Sequence, residues 1–124
     1  MTAQANLPKT VPILAQATAQ GLSAIAVLRV SGTDLAGSLL PRLGWRLDAR
    51  RASLRILRAS NGEAIDQVLA IFFPSPHSFT GEDLLELHTH GAPAVIAWAM
   101  ETLLAYGQPE GMRLAKPGEF SERA

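Results

Sequence analysis

The segment "ASLRILRASNGEAIDQVLAIFF", residues 52 to 73, constrains the fold more than any other stretch. Asn61-Gly62 is a strong turn dipeptide, because tight hairpin turns need the positive φ angles that Asn and Gly tolerate. On its N-terminal side Leu54 and Ile56 alternate with Ser53 and Arg55, the period of a half-buried strand with the two apolar residues on the core side. On its other side Ile65 to Phe73 is rich in β-branched and aromatic residues. The expectation is an antiparallel hairpin.

The rest of the chain adds strands and a few helices around it. Val11–Thr18 and Ser23–Val30 are short apolar runs separated by "AQGL", whose Gly21 suits a turn, so a second hairpin is expected. "SGTD" at 31 to 34 carries capping side chains ahead of Leu35, Leu39 and Leu40, which predicts a short helix ending near Pro41 or Gly44. "PSPHSFTGE" is a loop, Asp83–His90 a strand, and Pro93 opens a helix that Gly107 closes. Ala94, Val95, Ala97, Trp98, Leu103 and Leu104 make that helix so apolar that burial on most sides is expected, with a partner subunit as one cover. "GMRLA" is a last short strand. Hairpins outnumber crossovers, so the fold class is α+β, a mixed or antiparallel sheet with two to three helices in a single domain spanning 1–124. Residues 1–10 are expected to be a flexible lead-in.

Composition removes several functions. There is no cysteine, which excludes disulfides, thiolate nucleophiles and the usual structural zinc sites. No apolar run approaches the ~18 residues of a membrane span, so no membrane role and a cytoplasmic location are expected. Formal net charge is zero. The charges are unevenly placed: Arg42, Arg46, Arg50, Arg51, Arg55 and Arg58 have only Asp48 among them. This run reads as a solvated loop and strand edge before it reads as a phosphate-contacting patch.

The chemistry-bearing stretch is "SFTGEDLLELHTHGAP" at 78 to 93. As a strand it turns Leu85, Leu87 and Thr89 to one side and Leu84, Glu86, His88 and His90 to the other. Glu86, His88 and His90 suggest a metal, but at i, i+2 and i+4 along a strand they are spread too far for one ion, so no metal site is expected. No G-x-S-x-G elbow, Walker loop or dinucleotide fingerprint occurs, so no catalytic residue is assigned. "HGAP" is a strand-to-helix junction whose backbone N–H groups could hold an anion. Arg29 interrupts the apolar run "SAIAVLRVSG" and needs solvent, a carboxylate such as Glu86 or Asp83, or an anionic ligand. An Arg29–Glu86 pair would suit a flat heterocycle such as a pterin.

"LAQAT", "LRVSG", "IDQVLAIFFPSPHSFTGEDLLELHTHGAP" and "AKPGEFSERA" together resemble the N-terminal domain of the MnmE (TrmE) family of tRNA-modification GTPases, from about residue 11 to the last residue. The resemblance implies a folate-binding fold like that of the glycine-cleavage T protein, binding of 5-formyltetrahydrofolate or a related one-carbon folate, and a homodimer formed through this domain. It implies Arg29 and Glu86 as folate contacts, Glu86 holding the pterin, with His90 and Gly91 beside them. The family's remaining domains are helical and Ras-like, the latter using GTP, Mg and K. With an FAD-containing MnmG-type partner these proteins modify C5 of the wobble uridine of tRNA. A lysine in the family's "FLN-x-K" would follow Ala124, so residues 116–124 are expected to begin a connection to a helical domain not included here.

Two departures from the family pattern define the alternative. "AQGLSA" stands where the family has "PGRGG", and "HGA" at 90 to 92 where it has "HGG". Ala92 is expected to resist a positive φ that glycine allows. On that reading the domain is a structural dimerisation module that has lost folate binding; a metal-dependent enzyme is the remote alternative.

Overall fold

The computed structural model describes residues 10–17 and 24–124. One sheet is built from β1 (Ile13–Gln16), β2 (Ile25–Gly32), β3 (Ser53–Arg58), β4 (Ala64–Phe73), β5 (Asp83–His90) and β6 (Arg113–Leu114). Their spatial order is β3-β4-β5-β2-β1-β6. Neighbours are antiparallel except β1 and β6, which run parallel. The helices are α1 (Leu39–Leu43), α2 (Pro93–Tyr106) and α3 (Glu119–Arg123). This is the α+β class with a mixed sheet.

The hairpin at Asn61-Gly62 forms, with Gly62 at φ 87°. It is longer than a two-residue turn: the Ala59 N–H donates to the Glu63 carbonyl at 2.9 Å, and the Asn61 side-chain oxygen accepts from the Glu63 N–H at 2.9 Å. The slack appears as a shift in register between Leu57 and Arg58. The strand's phase differs from the sequence reading. Leu57 is the core residue of β3, whereas Leu54 is 59% and Ile56 44% exposed. Apolar residues stand on both faces of this strand, so alternation alone identified a strand without identifying its inner side.

Helices pack on one face of the sheet. Ala99 and Leu103 of α2 join Val68, Ala70 and Phe72 of β4, Leu85 and Leu87 of β5, Leu28 and Val30 of β2 and Leu14 of β1 in a single core. Pro93 starts α2 at its first turn, as expected of a residue whose missing N–H costs nothing there. Gly107 ends it at φ −90°, an ordinary angle. Glycine is needed there for space, since a Cβ would stand 2.3 Å from the Met112 side chain. Within the single chain α2 is buried along one side only. Ala99, Thr102 and Leu103 are buried while Ala94, Ala97, Glu101 and Ala105 face solvent, because alanines fill its outer side.

Helix α1 is shorter than expected. Asp34 takes φ 52° and its carboxylate accepts the Gly37 N–H at 3.1 Å, so "SGTD" closes a turn instead of capping a helix at Leu35. Leu35 still reaches the core. The turn expected at "AQGL" lies mostly outside the described residues, although β1 and β2 pair antiparallel as a hairpin would. The expected flexible lead-in falls outside them too, apart from Thr10, whose N–H donates to the Thr33 hydroxyl at 2.9 Å.

The last helix folds back onto the sheet. Arg113 grips Glu119 through two bonds of 2.7 and 2.6 Å, and the Lys116 N–H adds a third at 2.9 Å. Arg123 donates to Glu82 at 3.0 Å and to the Val11 carbonyl at 2.9 Å. Hydrogen bonds from Arg113 and from the Lys116 backbone pull the Glu119 carboxyl down to about 2. A carboxyl depressed by folding contributes stability above its ordinary value, and loses it as pH falls through the folded value. Glu119 should therefore stay ionised until about pH 2, as NMR titration of its side-chain carboxyl carbon would show; titration near the ordinary glutamate value of about 4.3 would mean the clasp does not form in solution. Leu57→Ala should cost ~2–5 kcal/mol in urea unfolding and Leu54→Ala under about 1. Equal costs would restore the phase read from sequence.

Candidate functional site

The sheet face away from the helices carries the chemistry. β2 and β5 pair residue for residue from Ile25↔His90 to Gly32↔Asp83, which sets Arg29 directly opposite Glu86 and Val27 opposite His88. Side chains alternate along each strand, so all four stand on the open face. Their surroundings are apolar: Ile71 of β4 pairs with Glu86, and Leu69 with His88.

Glu86 is the centre. Arg29 Nε donates to its Oε2 at 3.0 Å, and His88 Nε2 lies 2.7 Å from its Oε1. The carboxylate side chain is only 15% exposed, and that burial pushes its pKa upward. The His88 hydrogen bond, then the Arg29 hydrogen bond and the guanidinium charge, outweigh burial and leave it below the ordinary glutamate range. A carboxylate offers about four lone-pair directions, so two bonded partners leave room for two more donors. Together the group is an ionised, oriented acceptor beside a cation, on an apolar floor.

The other sequence candidates sit one step away. His90 is 72% exposed, and its Nδ1 lies 2.6 Å from Asp66 Oδ1 of β4 while its backbone N–H donates to Asp66 Oδ2 at 2.8 Å. It is thus tied to β4, separate from the Glu86 group. The Gly91 N–H donates to the Ala24 carbonyl at 2.9 Å and so extends the sheet pairing. Ala92 has φ −64° and ψ 129°, ordinary extended backbone, so the positive φ that an alanine was expected to resist is not used at this position. Glu86–His88 and Asp66–His90 are two pairs, and among the described residues no group of three potential ligands gathers for a metal ion.

Two partners escaped the sequence reading. His88 was placed on the same face as Glu86 but not paired with it, although the two stand one same-face step apart on β5; Asp66 was not singled out, and its place beside His90 follows only once β4 is set against β5. A third group also emerged at the foot of the sheet, where Glu82 takes a hydrogen bond from Ser31 at 2.8 Å and Asp83 takes the Ser75 N–H at 2.8 Å.

The Glu86 environment has a direct signature. Replacing Arg29 by Gln removes the guanidinium charge and should raise the Glu86 pKa toward its ordinary value, read by NMR titration; no movement would show that Arg29 does not hold the carboxylate. Stability from this pair is present above the ordinary glutamate pKa and disappears as pH falls through the lowered one.

Residues 12–124 match the family model described as "GTP-binding protein TrmE N-terminus". The chain is 49% identical over 113 residues to the tRNA modification GTPase MnmE of Bordetella parapertussis, covering 91% of this chain and 25% of that protein. It is 47% identical over 112 residues to the MnmE of Vibrio vulnificus strain YJ016, covering 90% and 24%. To that of Dinoroseobacter shibae it is 52% identical over 114 residues, covering 90% and 25%. The chain thus spans about a quarter of the length of the curated relatives it matches.

Proposed function

The chain belongs to the family of TrmE N-terminal domains, and from that premise we propose that it binds 5-formyltetrahydrofolate or a related one-carbon folate and dimerises within a tRNA modification GTPase. The observation that carries the folate reading is Glu86, ionised, oriented by Arg29 and His88, and set on an apolar sheet face. A pterin presents adjacent amino and ring N–H donors, which a carboxylate with two unused lone-pair directions accepts in parallel. Arg29 supplies the positive charge that an anionic tail or ring oxygen requires. Leu69 and Ile71 offer the flat apolar contact beneath a ring. The residues present fit the group.

When bound, the folate supplies a one-carbon unit. This chain's residues bind and orient it, and none is assigned a bond-making step. In the whole protein the reaction proposed is modification of C5 of the wobble uridine of tRNA, in the cytoplasm, with an FAD-containing MnmG-type partner and with GTP, Mg and K used by a separate domain.

Dimerisation draws support from the same face. Ile25, Leu54, Ile56 and Leu69 are exposed apolar side chains, the kind of surface that a second copy covers. If the folate role has been lost, dimerisation alone remains, and the two readings separate experimentally. Calorimetric titration with 5-formyltetrahydrofolate should give one site per chain, and Glu86→Ala should weaken it by ~1–3 kcal/mol without loss of fold. Absence of heat from the unsubstituted chain, with a dimer seen by sedimentation velocity, would leave the structural reading. A monomer at all concentrations would remove the dimer.

A further inference from the structure

The register of β4 places five arginines along one edge of the sheet. Ala49 bridges to Phe72 of β4 in parallel, and the Arg50 N–H donates to the Phe72 carbonyl at 2.7 Å. Ser53 then pairs with Ala70, Arg55 with Val68 and Arg58 with Ala64. Arg50 and Arg51 therefore continue the β3 edge at one end, and Arg58 closes it at the other. Arg55 Nη2 donates to the Arg46 carbonyl at 2.6 Å, which fastens Arg46 beside the middle of the row. At ~3.3 Å per residue, the stretch of β4 from Phe72 to Ala64 is about 26 Å long.

These charges lack counter-charges. Six of the chain's eleven basic residues fall between 42 and 58 with Asp48 as the sole acid, in a chain of zero net charge. Arg42 leaves the row, since its Nη2 pairs with Glu110 at 2.6 Å. Asp48 reaches only Arg51, at 3.9 Å, and both side chains are solvent-exposed, so that pair neutralises little. Arg55 and Arg58 donate to backbone carbonyls, which carry no formal charge. Among the described residues, no carboxylate pairs with Arg46, Arg50, Arg55 or Arg58.

We propose that this edge, formed by Arg46, Arg50, Arg51, Arg55 and Arg58, is a contact surface for the phosphodiester backbone of RNA. Guanidinium forks match phosphate oxygens in pairs, and a row of them suits a polyanion with regular spacing better than a single small anion. A row about 26 Å long runs beside several consecutive phosphates of one strand. β3 is an edge strand, so nothing in the sheet stands between these side chains and an approaching strand of RNA. The surface reads charge and spacing and supplies no base recognition, so its contribution is affinity and orientation.

The test is fluorescence anisotropy of a labelled RNA hairpin the size of a tRNA anticodon arm, titrated with the chain at several salt concentrations. Three to five neutralised phosphates give a log–log salt slope of about −2 to −4. Arg46→Gln, Arg50→Gln and Arg58→Gln together should lower affinity tenfold or more and flatten the slope by about 2, with each single change contributing part. Lys116→Gln, on the opposite side of the sheet order, should leave both unchanged. Undiminished RNA affinity in the triple variant, with an unchanged thermal melt, overturns the assignment. So does binding to phosphatidylserine vesicles without binding to RNA. The folate titration is independent: a chain that takes folate but not RNA sinks this inference alone, and the reverse sinks only the pterin reading.

Discussion

The pairing of β2 with β5 is the constraint on which the remaining structure depends. Eight consecutive residue pairs, Ile25↔His90 through Gly32↔Asp83, hold the two strands in one register at the centre of the sheet. Side chains alternate faces with a period of two, so a slip of one residue would turn Leu85 and Leu87 outward and drive Glu86 and His88 into the core. Burying that carboxylate without its partners would cost several kcal/mol, and losing two fully buried leucines would cost a similar amount again. Core and site are therefore set by the same choice. The leucines make the register stable, and the register makes Arg29 meet Glu86.

A polar cluster at the end of the sheet complements that apolar centre. Glu82 receives Ser31 from β2 and Arg123 from α3, and it also pairs with the Thr10 hydroxyl. Asp83, nearly buried, accepts N–H groups from Ser75 and Ala36. Each carboxylate thus joins segments far apart in sequence. Buried or half-buried charges are tolerable only when hydrogen-bonded, and no buried side-chain polar atom lacks a partner among the described residues. The motifs "FTGED" and "GEFSERA" are, in physical terms, the two halves of this clasp.

Legibility in the sequence followed the strength of local signals. β5 and α2 carry the boundaries expected because Pro93 and Gly107 act on backbone geometry and space, which neighbours cannot override. The two faces of β5 were readable because apolar and polar residues alternate there from Leu85 to His88. β3 has leucines and isoleucine on both sides, so its inner face depends on which one meets the helices, and only Leu57 does. Arg29 stood out as a charge inside an apolar strand, but the choice between Glu86 and Asp83 needed the register. His88 beside Glu86 is a same-face neighbour on one strand and was within reach of the period-two pattern, whereas Asp66 on His90 joins two strands and leaves no local trace.

Ala92 bears on how strongly the family's ligand chemistry extends to this chain. Its backbone at φ −64° and ψ 129° lies where any residue is comfortable, so the alanine in "HGA" leaves the path of the chain into α2 unstrained. What it adds is a methyl group on an exposed residue at the helix start. The structural task at this junction falls to Gly91, whose N–H continues the sheet to Ala24 and whose position is buried. The departure therefore changes local shape and leaves intact the charged pair at Glu86, six residues back along the chain. A difference in ligand preference arising here would be steric, felt by whatever part of a ligand lies over Ala92, and would not reach the carboxylate that Arg29 and His88 hold in place.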